Sequence, residues 1–222
     1  MQQPSQQHRS ASTAEHKAQV RANLRKERIK RSAHKNENAL KFLQQLTQII
    51  SWQSQKNLTI AAYLPSGTEP PITLALEKLQ RAGQQILVPI VEKNHSLSWS
   101  FWEPDMECVT NSFGLQEPVA TRYDHTAFFE ADLRLIPALA FDRQGWRLGQ
   151  GGGYYDRLLA AVDLSKEKSL PLTARKNFGL VFAAEILDEV PHDSWDVQIH
   201  TLLTEEGIQT SSYNSKGPQA HQ

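Results

Sequence analysis

One stretch of this chain narrows the possible folds more than any other. Ile136-Pro137-Ala138-Leu139-Ala140-Phe141-Asp142 is an apolar run of strand character, and Arg143 to Leu148 carry the chain through a turn. Gly149-Gln150-Gly151-Gly152-Gly153 follow, and Tyr154-Tyr155-Asp156-Arg157 open a helix. Four of the 11 glycines in the protein lie between Gly149 and Gly153. Backbone without Cβ atoms lets several N–H groups turn toward one point and lets a ligand come close. A helix start adds unpaired N–H groups and the positive end of a dipole. Strand, glycine loop and helix together make an anion cradle, and the usual anion is a phosphate. Arg147 adds positive charge, and Asp156 offers an oxygen ligand for Mg²⁺. Short glycine runs also occur in plain turns. The apolar strand before this one, its Arg and Asp flanks and the helix after it set it apart.

The rest of the chain alternates helices and strands. Residues 16–31 have helix-forming composition with few apolar positions (Val20, Leu24, Ile29). Residues 36–51 predict an amphipathic helix with Leu40, Leu43, Leu46 and Ile50 on its inner face. Strands are predicted over 58–63, 86–91, 97–102, 133–140, 178–183 and 201–204. Pro89 marks the second as an edge or bulged strand, and the alternation of 97–102 suits an antiparallel one. Helices are predicted over 73–81 and 154–162, the latter with Tyr155, Leu158, Leu159 and Val162 inward, and a polar loop over 163–176. The fold class that follows is α/β: a three-layer, Rossmann-like open sheet, mostly parallel, with helices on both faces. Ligands in such sheets bind beyond the carboxyl ends of the strands, where 64–69, 142–153 and 184–195 would converge.

Composition sets the outer limits. The polar segments 1–14 and 208–222 read as disordered extensions around one domain, residues 15–207. Formal net charge is zero, which gives no general attraction to nucleic acid or membrane. The single cysteine, Cys108, excludes an internal disulfide framework and reads as a packed or edge thiol. No apolar run approaches the length of a membrane span, and no secretory leader is visible, so a cytoplasmic monomer is expected. Charge is nevertheless uneven. Lys17, Arg21, Arg25, Lys26, Arg28, Lys30, Arg31 and Lys35 face only Glu27, whereas residues 185–206 hold seven acids and no Lys or Arg. The basic helix either complements that acidic region, faces a ligand, or is a solvated face.

The run PALAFDRQGWRLGQGGGYYDRLL resembles the signature of the 5-formyltetrahydrofolate cyclo-ligase (methenyltetrahydrofolate synthetase) family. The likeness extends in order from about residue 16 to about 206, through YLPSGTE (63–69), RAGQQILVP (81–89), FGLQEP (113–118) and VPHDSWDVQIHTLLT (190–204). It implies ATP-dependent closure of 5-formyltetrahydrofolate, with or without a polyglutamate tail, to 5,10-methenyltetrahydrofolate. The formyl oxygen is phosphorylated, N10 attacks the activated carbon, and phosphate departs. The resemblance also implies roles. Gly149, Gln150, Gly151, Gly152 and Gly153 would wrap the triphosphate, and Lys17 and Arg21 would close over it. Arg147 would neutralise the moving phosphoryl group as the catalytic residue. Tyr154 and Tyr155 would flank the nucleotide loop, Leu64, Glu69 and Tyr154 would contact the folate, and Asp156 would bind Mg²⁺.

Six positions depart from the family pattern. Ile72 stands where the acidic turn usually has Thr, with Thr73 next to it. Gln150 and Gly152 replace loop cations found in many members, Glu185 stands where Gln is common, and His200 where some members have a second acidic residue. Trp146 takes the place of a small polar residue, either covering the nucleotide or capping the turn. Two other readings remain open. One is an ATP-using enzyme with a different carbonyl substrate. The other is an RNA-binding module that uses the basic first helix, for which no aromatic recognition surface is evident.

Overall fold

The computed structural model describes residues 6–161, 164–193 and 196–211. In chain order its helices and strands are α1 (Gln6–Arg31), α2 (Lys35–Ser51), β1 (Thr59–Ala61), α3 (Thr73–Arg81), β2 (Gln85–Val91), β3 (Leu97–Trp102), β4 (Cys108–Thr110), β5 (Gln116–Pro118), α4 (Thr126–Glu130), β6 (Leu133–Pro137), β7 (Ala140–Asp142), β8 (Arg147–Leu148), α5 (Tyr154–Leu159), β9 (Asn177–Leu180), β10 (Ile186–Leu187), β11 (Thr201–Thr204) and β12 (Gly207–Thr210). Seven strands form the central sheet in the order β12-β11-β9-β6-β1-β2-β3. The five inner strands run parallel, and β12 and β3 pair antiparallel at its two edges.

The inner strands are apolar on both sides because helices cover both faces. Phe42, Leu46 and Ile49 of α2 and Leu76 and Leu79 of α3 pack against Ile60, Val88, Leu135 and Phe178. On the opposite face Phe128 of α4 and Leu158 and Leu159 of α5 meet Ala61, Leu87, Ile136 and Leu202. Neighbours such as Ile60 and Ala61, or Leu202 and Leu203, therefore serve different cores, as the two-residue strand period requires. Each fully buried Leu, Ile or Phe contributes about 1.5–3 kcal/mol of apolar transfer free energy. The three-layer architecture matches the sequence expectation.

Several boundaries differ, each for a physical reason. The apolar run 133–140 is two strands: β6 ends at Pro137, and the chain crosses into a small sheet of order β10-β7-β8. Apolar character alone does not show where a buried chain changes sheets. The inner face of α2 is turned from the expected one: Asn38, Phe42, Leu46 and Ile49 are buried and Leu40 is 61% exposed, with Leu43 and Ile50 at the margin. α1 starts at Gln6, ahead of the expected residue 16. α5 stops at Leu159 rather than 162, so its dipole contribution is smaller than foreseen, and Val162 lies outside the described residues. The loop 163–176 contains two short 3₁₀ turns, Ser165–Ser169 and Leu172–Ala174. β12 occupies part of the predicted polar tail, and the β4–β5 hairpin was not anticipated.

Pro89 is neither at a sheet edge nor at a bulge; it sits inside β2, opposite Trp99 of β3. Trp99 exchanges both backbone hydrogen bonds with Tyr123 on its far side, so it asks for no N–H from Pro89. On the other side, the pairing of β1 with β2 ends at Leu87, whose carbonyl accepts from Ala62. The missing proline donor falls where no strand requires it. Cys108 is half-buried on β4, and burial pushes its thiol pKa up, the direction opposite to an activated nucleophile.

Two predictions follow from this packing. Phe42→Ala should cost about 3–5 kcal/mol, whereas Leu40→Ala should stay within about 0.5 kcal/mol, as read from urea unfolding midpoints. Gly179 in β9 lies beneath the Phe141 ring, where a Cβ would come 2.7 Å from Cε2 and 3.0 Å from Leu202 Cδ2. Gly179→Ala should lower stability by about 1–3 kcal/mol with an unchanged m-value.

Candidate active site

The strand order reverses between β1 and β6: the chain leaves β1 toward β2 on one side and β6 toward β9 on the other. Diverging connections leave a crevice at the carboxyl ends of those two strands. A cleft of about 630 Å³ opens there, lined by Tyr63 and Leu64 after β1, by Pro137 at the end of β6 and by Leu139 beyond it. Its rim is formed by Ser66 to Glu69, by Gly149, Gln150, Gly152 and Gly153, and by Tyr154, Tyr155 and Asp156.

Folding of the glycine loop depends on Arg147. This side chain is 5% exposed; it bonds the Pro137 carbonyl at 3.1 Å and holds the Asp156 carboxylate in a very short ion pair. A Cβ on residue 149 would lie 2.9 Å from both terminal nitrogens of Arg147, so glycine there lets the guanidinium lie against the loop. Gly151 and Gly153 have φ of +114° and +70°, a backbone conformation that side-chain-bearing residues rarely adopt. The loop's carbonyls point outward to arginines: Arg21 bonds Gly149 O at 2.9 Å, Arg25 bonds Gln150 O at 2.8 Å and Arg157 bonds Gly152 O at 2.9 Å. The amides of Gln150 to Gly153 meet no acceptor among the described residues. Four arginines therefore surround a loop of free N–H groups, with Asp156 and Glu69 as the nearby acids, an arrangement suited to an anion. Burial, and then the neighbouring charge of Arg25, pull the pKa of Arg21 down.

The opposite wall is apolar and aromatic. Pro89 and Val91 of β2, Leu97 of β3 and Phe113 and Leu115 of the β4–β5 hairpin line it. The Tyr154 ring lies between the two walls, edge-on to Phe113 at 6.3 Å and tilted on His95 at 5.7 Å. Glu69 accepts from the Ser66 amide at 3.0 Å and from Gln150 Nε2 at 3.3 Å, which ties the acidic turn to the glycine loop. Ile72 is buried in the core and Thr73 faces out at the start of α3, so neither reaches the cleft; Ser66 and Thr68 supply its hydroxyls instead.

The basic helix is committed to the protein's own groups. Lys17 pairs with Asp193 at 2.7 Å and Asp196 at 3.0 Å, away from the cleft wall. Arg28 makes two 2.8 Å bonds to Glu185 and one of 2.6 Å to the Ala138 carbonyl, and Arg31 adds a 3.0 Å bond to Glu185. Burial alone would lower the pKa of Arg28, but the bonds and charge of Glu185 raise it on balance. The departure at Glu185 is therefore a built ion pair. His200 is buried with Nδ1 3.1 Å from Ser211 Oγ, and Trp146 stacks on His192 at 4.2 Å beside the turn rather than on the cleft wall. Among the described residues there is no group of three or more His, Cys, Asp or Glu side chains placed to hold a metal.

Sequence reasoning named Arg21 and Arg147 of the cationic wall but missed Arg25, Arg28, Arg157, Tyr63 and the hairpin residue Phe113. The first two had a signal. Lys17, Arg21, Arg25 and Arg28 recur at helical spacing and share one face, which separates them from the solvated cations of the run. The hairpin carried only the FGLQEP likeness (113–118), which does not place it, because its approach to the cleft is set by tertiary contacts.

Comparison with known proteins agrees with this geometry. Residues 13–205 match the 5-formyltetrahydrofolate cyclo-ligase family. The chain is 34% identical over 156 residues to 5-formyltetrahydrofolate cyclo-ligase of Mycolicibacterium smegmatis, covering 68% of this chain and 75% of the relative. It is 27% identical over 188 residues to the enzyme of that name from Haemophilus influenzae, covering 83% and 95%. In fold it is similar to 5,10-methenyltetrahydrofolate synthetase of Aquifex aeolicus, with a TM-score of 0.68 at 24% identity over 93% of this chain and 99% of the other. Signature, fold and site thus lead to one assignment: this chain belongs to the 5-formyltetrahydrofolate cyclo-ligase family.

Proposed function

We propose that this protein uses ATP to close 5-formyltetrahydrofolate to 5,10-methenyltetrahydrofolate, with release of ADP and phosphate. The observation that carries the reading is the pairing of two walls in one cleft: free loop amides ringed by arginines face an apolar, aromatic surface fit for a flat ring system. A triphosphate belongs on the first wall and a folate on the second.

The N5-formyl group is an amide, and its carbon is a poor electrophile. Transfer of the γ-phosphoryl group to the formyl oxygen makes that oxygen a leaving group. N10 then bonds to the carbon, the carbon–oxygen bond breaks as phosphate leaves, and N10 gives up its proton. Both nitrogens belong to one molecule, so closure has a high effective molarity. The chain's part is positioning and charge stabilisation. The amides of Gln150 to Gly153 bind phosphate oxygens, and Arg21 and Arg25 fix the loop from behind. Arg147, which lines the cleft, stabilises charge on the transferring group. Leu64, Glu69 and Tyr154 orient the folate. Asp156 is the carboxylate that would hold a Mg²⁺, and the ion would supply charge neutralisation. Lys17, bound to Asp193 and Asp196, anchors α1 near the loop in this reading. The inward commitment of Lys17, Arg21, Arg28 and Arg31 leaves an RNA-binding helix without its main cations.

The test is the near-ultraviolet absorbance of methenyl-folate on mixing protein, 5-formyltetrahydrofolate and Mg-ATP. The band should grow only with ATP. Arg147→Ala should lower kcat by about 10²- to 10³-fold, and Asp156→Asn should raise the Mg²⁺ concentration needed for half-maximal rate. A folded wild-type protein that binds ATP yet forms no methenyl band would overturn the reading in favour of another carbonyl substrate.

A further inference from the structure

Buried polar groups in folded proteins are nearly always hydrogen-bonded, so those left open call for a reason. Among the described residues six buried side-chain polar atoms have no partner in the protein. Three of them, Arg28 Nη1, the Tyr63 hydroxyl and the Tyr155 hydroxyl, belong to residues that line the one cleft described above. Arg28 and Tyr63 are 1% and 5% exposed, so both are fixed in the floor rather than at the rim.

The three groups differ from the phosphate wall in charge. Arg28 carries a unit charge, but Glu185 meets it from behind with both carboxylate oxygens. With Nε and Nη2 so engaged, the direction left to Arg28 is Nη1, which has two N–H donors. A neutralised guanidinium suits an uncharged acceptor better than a polyanion. Burial, and then the charge of Glu69, push the pKa of Tyr63 far up, and burial does the same for Tyr155. Both phenols therefore stay protonated and able to donate.

We propose that Arg28, Tyr63 and Tyr155 form a specificity-determining floor that binds the uncharged carbonyl oxygen of the folate's fused ring, and that Glu185 is a positioning residue holding Arg28 in place. This rests on the cyclo-ligase reading of the cleft. It gives the departure at Glu185 a function. It also divides the cleft by charge: the phosphates go to the surplus cations of the glycine loop, and the neutral ring end goes to the compensated floor. A lost ligand contact at such a floor leaves buried donors unpaired, which is how a site rejects an analogue that lacks the acceptor.

The experiment measures dissociation constants of the full chain for 5-formyltetrahydrofolate, for tetrahydrofolate without the formyl group, and for ATP. Tyr63→Phe is the central variant, because its hydroxyl has no partner in the protein. It should fold with undiminished stability, bind both folates between about threefold and tenfold more weakly, and bind ATP as the wild type does. Tyr155→Phe should weaken both folates in the same way. Glu185→Ala should raise the KM for folate more than that for ATP, because it frees Arg28 in the floor as well as loosening α1, and Glu185→Gln, which keeps an acceptor for Arg28, should restore most of both. Unchanged folate affinity in Tyr63→Phe and Tyr155→Phe, with a wild type that binds folate, would overturn this proposal alone and leave the donors to water. A loss confined to the formyl compound would overturn the ring assignment. Absence of folate binding by the wild type would remove the cyclo-ligase reading and this proposal together.

Discussion

The first helix is held to the rest of the protein by charge more than by apolar burial, and the site depends on that attachment. Of its side chains, Val20 and Leu24 join the small apolar cluster beneath it. Its other anchors are cations: Lys17 on Asp193 and Asp196, Arg21 and Arg25 on carbonyls of the glycine loop, and Arg28 and Arg31 on Glu185. A buried ion pair stabilises weakly on balance, because both charges lose their water, but removal of one partner leaves an isolated charge that costs about 3–5 kcal/mol. The Arg28–Glu185 pair therefore makes the docked position of α1 hard to exchange for another. That fixed position sets where Arg21 and Arg25 meet the loop.

The glycine loop in turn is shaped from two sides. Arginines from α1 and from Arg157 take its carbonyls, and Arg147 fills the space that a side chain at position 149 would need. With its carbonyls so bonded, the loop keeps the amides of Gln150 to Gly153 without an acceptor among the described residues. The anion cradle is thus a product of hydrogen-bond direction across the loop rather than of a long helix dipole, since α5 has only six residues. Asp156, at the start of that helix, holds Arg147 in this structure and lines the same cleft, so the two charges offset each other beside the loop.

Much of this could be read from the sequence, and the limits of that reading have definite causes. The inner strands were legible because chains buried on both faces are continuously apolar. The glycine loop was legible because its glycines lie between an apolar strand and a helix start, with Arg147 and Asp156 at its flanks. The face of α2 was misjudged because Leu40 and Phe42 are equally apolar to a periodicity argument, and the neighbouring strands choose between them. The end of β6 was missed because the residues after it stay apolar as they cross into another sheet. Pro89 marked an interruption in pairing, but only the early end of β1 shows why an inner strand tolerates it.

The sequence by itself determined the fold class, the glycine loop flanked by Arg147 and Asp156, and the uneven charge that sets a basic first helix apart from an acidic C-terminal region. These depend on local periodicity, on backbone freedom and on composition, all of which are written along the chain. The tertiary structure alone decided which cations of the helix turn inward, that Glu185 clamps Arg28, and that Tyr63, Tyr155 and the β4–β5 hairpin enter the same cleft. Those relations join residues far apart in the chain, and the packing of the sheet brings them together.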